Sequence, residues 1–213
     1  RAAARYGHRM VVLVDEGPRE GIRAPIVFAE DPPDDLRVIR FAYRRAALRV
    51  AGVLAVLKAA RKLAREGTPV DILHAHVHRM GWIAVLAGAA LRPVVISEHS
   101  SEWPRRLMDP GRLRRAKFAL EHAALVCPVN RRLQEAIESY GVRASFRIVP
   151  NTVDAGVFRP ASAPTVHDGL RLVTVSRHVQ VKGLDVLLRA FADVAATAPG
   201  AILELVGDGP LTP

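Results

Sequence analysis

The sequence predicts an α/β fold built on parallel, doubly wound sheets, and two observations carry this prediction. Short runs rich in Val, Ile and Leu alternate with longer segments in which apolar residues recur at helical spacing. Glycine, asparagine and proline stand at the junctions, where helices begin and end. Strands that alternate with helices favour a parallel sheet with helices on both faces. Half of the 213 residues are hydrophobic, which suffices for a sizeable core.

The first third of the chain is predicted to contain three strands and one long helix. Strands are expected at residues 10–14, 26–29 and 37–41, and the loop DPPDD precedes the third of them. An amphipathic helix is expected from Tyr43 to Arg65, because apolar residues keep one face while basic residues cover the rest. Gly67 is its expected end.

The middle of the chain continues the alternation. Asn130 is the expected N-cap of a helix that Gly141 stops. Cys127 is the one cysteine and falls in an apolar run, so we expect it to be buried and no internal disulfide can form. Strands are expected at 70–75, 94–97, 125–129 and 146–149. Helices are expected at 80–91 and 130–140, and a third helix follows the basic stretch 103–117 and runs to about residue 122.

A stretch rich in Pro, Ala and Ser at 150–164 is the expected boundary between a first domain, 1–160, and a second domain, 165–213. The second domain is predicted to hold a strand at 170–176, a helix at 183–198 with a core-facing apolar side, and a strand at 202–206. One strand–helix–strand unit cannot cover both faces of a sheet, so we expect this domain to be incomplete. Both ends of the chain are expected to be cut.

The charge favours acidic partners. The formal net charge of +10 suits phosphorylated substrates, anionic lipid headgroups or nucleic acid. Nucleic acid is not expected, because neither aromatic interleaving nor a recognition motif accompanies the charge. No apolar run approaches the ~20 residues that span a bilayer. We therefore expect a cytoplasmic protein, with peripheral attachment to the inner face of the cell membrane as the alternative.

The strongest candidate for a binding site joins the strand at 170–176 to the helix that follows it. In open α/β sheets ligands bind at the carboxyl ends of strands, and a helix N-terminus suits a phosphate. Arg177 offers a planar fork for phosphate oxygens, and Lys182 adds a point charge beside Gly183. A solvated basic loop is the alternative. Gly207, Asp208 and Gly209 form a weaker candidate that follows the next strand, with an ordinary turn as the alternative.

Alternating histidines at 74, 76 and 78 form a second pattern. Alternate strand residues share a face, so His74 and His76 could bind a metal together, as in zinc hydrolases. No carboxylate stands within the cluster, and no second motif supplies further ligands. A metal-dependent hydrolase therefore remains a rival hypothesis rather than the favoured one.

Taken in order, several segments resemble glycosyltransferase family 4, the retaining enzymes of the GT-B fold that are also called group 1 glycosyl transferases. In the first domain these segments are RYGHRMV at 5–11, DILHAH at 71–76 and VVISEHS at 94–100. Later segments are VPNTVD at 149–154, FRP at 158–160, VSR at 175–177, KGLDVLLRAF at 182–191 and VGDGP at 206–210. Thr152 and Ser176 depart from the glycines that are usual there.

The resemblance implies two Rossmann-like domains, with the acceptor bound by the first and a nucleotide-sugar by the second. Arg177, Lys182 and Gly183 would bind the diphosphate, and the two cations would stabilise charge on the leaving phosphate without a metal or other cofactor. Gly207, Asp208 and Gly209 would form a donor-side loop. The family's opening glycine-rich loop and its paired-glutamate segment are absent, so this chain alone is expected to be inactive.

On the acceptor side, the resemblance implies that His99 lies near the sugar as a hydrogen-bond partner or proton relay. His76, Glu98 and Ser100 would line the same side. The acceptor would be a glycan or a lipid-linked molecule, as in polysaccharide biosynthesis. A non-catalytic module that binds glycans or lipid headgroups is the alternative.

A basic surface suits contact with an anionic membrane, and a solvated helix face is its alternative. Its members in the middle of the chain are Trp103, Arg105, Arg106, Arg112, Arg114, Arg115 and Lys117. The long helix is expected to add Arg40, Arg44, Arg45, Arg49, Lys58, Arg61, Lys62 and Arg65.

Overall fold

The computed structural model describes residues 9–18, 26–30, 37–43, 50–88, 92–160 and 169–212. The chain divides into two compact units, Arg1–Thr152 and Val153–Pro213. Each unit is described by itself below.

The first unit begins with a three-stranded sheet. It contains β1 (Val11–Pro18), β2 (Ile26–Glu30) and β3 (Arg37–Tyr43), in the order β1-β3-β2. β1 runs parallel to β3, as predicted, whereas β2 pairs with β3 antiparallel. The antiparallel pairing departs from the predicted all-parallel arrangement, because only six residues separate β2 from β3, fewer than a parallel crossover connection requires.

Helix α1 (Ala51–Arg65) is shorter than the sequence predicted. Tyr43 ends β3 and Arg40 lies inside that strand, so the predicted helix start at Tyr43 and the place of Arg40 on the helix are wrong. Arg44, Arg45 and Arg49 lie outside the described residues. Apart from Leu63, the buried residues of α1 are alanine and glycine, and a Cβ added at Gly52 would come within 2.7 Å of the Ile83 side chain. Glycine therefore permits a close approach there.

A second sheet forms the centre of the first unit. Its strands are β4 (Leu73–His76), β5 (Val94–Glu98) and β6 (Leu125–Pro128), all parallel and in that order. They alternate with α2 (Val77–Gly88), α3 (Pro110–Glu121) and α4 (Arg131–Glu138). This alternation confirms the predicted α/β arrangement. The strand predicted at 146–149 is reduced to one bridge between Phe146 and Val126.

One helix start of this unit, that of α4, was predicted correctly from a local signal. The Asn130 side chain accepts a hydrogen bond from the Leu133 N–H at 2.8 Å, which confirms the predicted N-cap of α4. Gly141 follows that helix with φ of 76°. Asp109 caps α3 in the same manner, through the Arg112 N–H at 2.9 Å. Cys127 is buried beside Val126 in the core, as expected.

The second unit contains one strand–helix–strand element. β7 (Arg171–Val175) and β8 (Ile202–Val206) run parallel, and α5 (Leu184–Thr197) connects them. Of the helix residues expected to face a core, only Leu184 is buried, and Leu188 is 50% exposed. Leu187, Phe191 and Val194 on the same side are half-buried. The predicted apolar side is therefore confirmed in part, because two strands offer a helix too narrow a surface for a full core. Val173 and Val175 are also exposed.

Among the residues that the structure describes, no helix has both the length and the apolar character needed to cross a membrane.

Candidate functional site

The loop between β7 and α5 carries both cations of the predicted phosphate site. Arg177 follows the end of β7, and Lys182 closes a 3-10 turn at Gln180–Lys182. Both side chains are exposed. Gly183 adopts a left-handed conformation, with φ of 65°, at the N-cap position of α5, and it has no side chain with which to cap the helix. No side chain of Gly183 therefore caps the first N–H groups of α5, an arrangement that suits an anion.

The loop after β8 packs directly against the β7–α5 loop. Gly207 has φ of 139°, and a Cβ there would overlap the Ser176 carbonyl group. A Cβ at Gly209 would come within 2.9 Å of the His178 backbone nitrogen. The sequence suggested that these glycines admit a ligand. In the structure, the backbone of the β7–α5 loop occupies the space beside both glycines.

His178 joins the two loops, and sequence reasoning missed it. Its N–H donates to the Asp208 carbonyl oxygen at 2.9 Å, and its carbonyl oxygen accepts from the Leu211 N–H at 3.2 Å. Its ring Nδ1 lies 2.9 Å from the Thr212 hydroxyl oxygen, a partner far along the chain. No local pattern in the sequence therefore marks His178.

Asp208 is held by its own turn. Its Oδ1 accepts hydrogen bonds from the Gly209 N–H at 2.6 Å and the Thr212 hydroxyl at 3.0 Å. The Gly209 bond, followed by the Thr212 bond, lowers the pKa of Asp208 below its ordinary value. The ionised carboxylate thereby stabilises the loop that faces His178.

Three histidine rings lie near one another, with His74 inside β4, His76 at its last position and His99 directly after β5. The ring centroids of His74 and His76 are 4.8 Å apart, and those of His76 and His99 are 5.9 Å apart. All three residues are exposed, whereas Ala75 points to the buried side of the sheet, as strand alternation predicted. His74 Nε2 also lies 2.8 Å from the Ser97 hydroxyl oxygen. Partial desolvation of its ring, and then the neighbouring His76, lower the pKa of His74.

The described part of the chain holds no group of three or more His, Cys, Asp or Glu side chains placed to bind a metal ion.

Glu98 does not face an acceptor as expected. It is 0% exposed. One carboxylate oxygen accepts from the His78 N–H at 2.8 Å and lies 3.0 Å from His78 Nδ1, and the other accepts from the Ser100 N–H at 2.8 Å. Burial by itself would raise the pKa of Glu98, but the hydrogen bonds from His78 and Ser100 outweigh it and lower the pKa. Glu98 is thus an ionised carboxylate inside the protein.

The basic surface in the middle of the chain is smaller than predicted. Trp103 was expected to face a membrane, but it is 0% exposed and packs edge-on against His78 and Tyr140. A large aromatic ring next to β5 contributes more by filling the core than by facing outward. Arg112 forms ion pairs with Glu102 and Asp109. The exposed cations that remain there are Arg105, Arg106, Arg114 and Arg115.

Comparison with known proteins identifies the class of protein. The family profile described as Glycosyltransferase Family 4 matches residues 1–157, and the chain belongs to this family. One curated relative, from Arabidopsis thaliana, is a subunit of phosphatidylinositol N-acetylglucosaminyltransferase and is 36% identical over 63 residues. That match covers 30% of this chain and 14% of the relative.

Similar solved structures are glycosyltransferases of the GT-B fold, which confirms the predicted fold class. They include the catalytic domain of starch synthase IV from Arabidopsis thaliana, bound to ADP and acarbose, with a TM-score of 0.60 and 14% identity. The E. coli trehalose-6-phosphate protein bound with UDP-2-fluoro glucose has a TM-score of 0.69 and 12% identity. This chain is covered to 99% in both cases and spans 63% and 61% of those chains.

Proposed function

We propose that this chain is part of a retaining glycosyltransferase that moves a sugar from a nucleoside-diphosphate sugar to a glycan or lipid-linked acceptor. One observation carries the proposal most directly. Two exposed cations, Arg177 and Lys182, lie in the loop that leads from β7 into the uncapped N-terminus of α5. Membership of the family and the ADP and UDP-sugar ligands of the similar structures agree with this choice of donor.

The chemistry of the donor explains why such a loop is needed. Cleavage of the bond between the sugar and the diphosphate leaves positive charge on the sugar and adds negative charge to the departing phosphate. Arg177 would contact phosphate oxygens through its planar fork, Lys182 would add a second charge, and the α5 N-terminus would add N–H donors. Three sources of positive potential at one phosphate make a bound metal unnecessary in this proposal.

The acceptor is proposed to bind at the strand ends of the first unit. His76 and His99 are exposed neighbours there, and Ser100 follows His99. A histidine at this position could hold an acceptor hydroxyl by a hydrogen bond or pass on its proton. Glu98 is left out of this contact because internal donors occupy both of its oxygens.

A lipid-linked acceptor is the preferred choice. The name of the Arabidopsis relative describes transfer to phosphatidylinositol, a lipid. The exposed arginines Arg105, Arg106, Arg114 and Arg115 would bring the first unit to an anionic membrane surface, at about 1 kcal/mol for each well-placed cation.

The test uses the full-length gene product and a panel of UDP-, GDP- and ADP-sugars with lipid and glycan acceptors. We expect Arg177→Ala and Lys182→Ala each to lower transfer at least ~100-fold, the typical cost of a group that stabilises transition-state charge. Arg189→Ala is the matched control, because Arg189 is also a second-unit arginine but pairs with Asp185 on the surface of α5. Undiminished turnover in both loop variants would refute the mechanism. The anomeric configuration of the product, read by NMR, tests retention.

A further inference from the structure

Glu98 links two strand ends through one carboxylate. The residue ends β5 and is fully buried. Its Oε2 contacts His78, at the start of α2 after β4, and its Oε1 contacts the N–H of Ser100, two residues beyond Glu98 itself. The same side chain therefore bridges the segments that follow two neighbouring strands.

The segment after β4 needs such support. β4 ends at His76, and α2 starts at Val77 without an intervening residue. Val77 adopts φ of 59°, in the left-handed region. A β-branched residue is strained in that region and stays there only when its surroundings hold it. The N–H of the next residue, His78, donates a hydrogen bond to Glu98 Oε2 at 2.8 Å. This bond helps to keep Val77 in its strained conformation.

The ring of His78 strengthens the same link. Because an ionised carboxylate only accepts hydrogen bonds, His78 Nδ1 carries the hydrogen in its 3.0 Å contact with Glu98. On the other side, His78 Nε2 lies 3.4 Å from a carboxylate oxygen of Glu102, which itself pairs with Arg112. The rings of Trp103 and His78 form a T-shaped contact, with 5.4 Å between their centroids.

The two linked segments carry the exposed histidines of the proposed acceptor site. His76 comes two residues before His78, and His99 lies between Glu98 and Ser100. Each histidine is thus close to a backbone N–H that Glu98 holds, and their ring centroids lie 5.9 Å apart.

We propose that Glu98, together with His78, is a positioning residue that fixes the distance between His76 and His99 by binding the backbone near each of them. The hydrogen bonds that Glu98 accepts are a property of the fold, whereas their effect on turnover rests on the proposed function. A role in packing alone would make Glu98 matter only for stability.

Glu98→Gln separates these roles, because it keeps the shape and removes the second acceptor oxygen. Whichever way the amide turns, its NH₂ group faces a donor, at His78 or at Ser100. His78→Asn and His78→Leu form a second pair. An Asn amide can replace the Nδ1 donor, whereas Leu cannot. Asn130→Ala is the control, because it removes the α4 cap in the same unit, and the Asn130 side chain bonds to the Leu133 N–H rather than to the Glu98 carboxylate.

Two readouts on the full-length protein test the proposal. The first is the NOE between ring protons of His76 and His99 in histidine-labelled protein. The second is the division of the kinetic effect between kcat and the KM for the donor. We expect Glu98→Gln and His78→Leu to weaken the NOE at least ~3-fold and to lower kcat ~10- to 100-fold, with donor KM changed less than ~2-fold. His78→Asn and Asn130→Ala should keep both readouts near the wild type.

Two results would overturn the proposal. One is a wild-type NOE and kcat in folded Glu98→Gln. The other is an equal loss in Asn130→Ala, since that would reduce the effect to general destabilisation. If Glu98→Gln does not fold, the comparison of His78→Leu with His78→Asn tests the proposal by the same NOE and kcat measurements. A wild-type protein that transfers no sugar would refute the proposed function, while the NOE would still decide the positioning.

Discussion

The backbone N–H of His178 donates a hydrogen bond to the carbonyl oxygen of Asp208 at 2.9 Å, and this bond joins the two loops at the carboxyl ends of β7 and β8. The loop that carries Arg177 and Lys182 is therefore supported by the loop after β8. The glycines of the second loop make this contact sterically feasible.

Replacing the contact glycines should destabilise the second unit. Gly207→Ala and Gly209→Ala each place a methyl group against the backbone of Ser176 or His178, and we expect a loss of about 2–4 kcal/mol of unfolding free energy. Gly200→Ala is the control. It has φ of 89° with open space around it, so only the left-handed strain of about 1–2 kcal/mol remains. Denaturant unfolding measures all three, and equal losses would contradict the steric explanation.

The contribution of Glu98 to the free energy of unfolding should depend on pH. Its pKa is lower in the folded protein than its ordinary value of 4.5, so its contribution is complete above that value and is lost as the pH falls through the folded pKa. At neutral pH we expect Glu98→Gln to cost about 1–3 kcal/mol, because a buried donor loses its acceptor. The difference from wild type should shrink steadily below pH ~4.5 in denaturant titrations. A difference that stays constant between pH ~7 and pH ~3 would show that Glu98 is not held ionised by His78 and Ser100.

The membrane proposal predicts a specific set of arginines. Replacing Arg105, Arg106, Arg114 and Arg115 together by Gln should weaken binding to vesicles rich in anionic lipid at least ~100-fold, and added salt should weaken the wild type similarly. The control replaces four exposed arginines of the first unit outside that surface, Arg131, Arg132, Arg143 and Arg147, by Gln. Co-sedimentation measures both variants. An equal effect of the two sets would indicate binding by overall charge rather than by this surface.

The proposed donor site predicts transfer without a bound metal. Since Arg177, Lys182 and the α5 N-terminus supply the positive charge, EDTA should change the rate less than ~2-fold. The measurement is initial rate with and without chelator, followed by readdition of Mg²⁺ or Mn²⁺. A loss of activity that a metal restores would contradict this part of the proposal.

Features encoded close together in the chain could be predicted from the sequence. β8 lies at the predicted residues, and the Asn130 cap needs only a partner three residues away. The early helix was predicted to start too soon, because Tyr43 continues the apolar period although its backbone pairs with Ile26 in a sheet. Pairing between distant residues overrides local periodicity.

The buried residues of the candidate site could not be predicted in the same way. Glu98 finds its partner 20 residues earlier, and the Trp103 ring lies against Tyr140, which comes 37 residues later. An acidic residue before a histidine and a tryptophan in a basic stretch both suggested exposed positions. Only the packing around β5 shows that both side chains lie inside.

Val77 has a consequence for attempts to make this protein more heat-resistant. Position 77 is the kind of site at which a library selected for thermal tolerance alone should accumulate Gly or Asn, since both accept the left-handed backbone more readily than valine. Such gains often come with lower activity when the altered residue stands beside a functional group. Variants enriched at position 77 should therefore be screened for turnover before they are adopted as improved scaffolds.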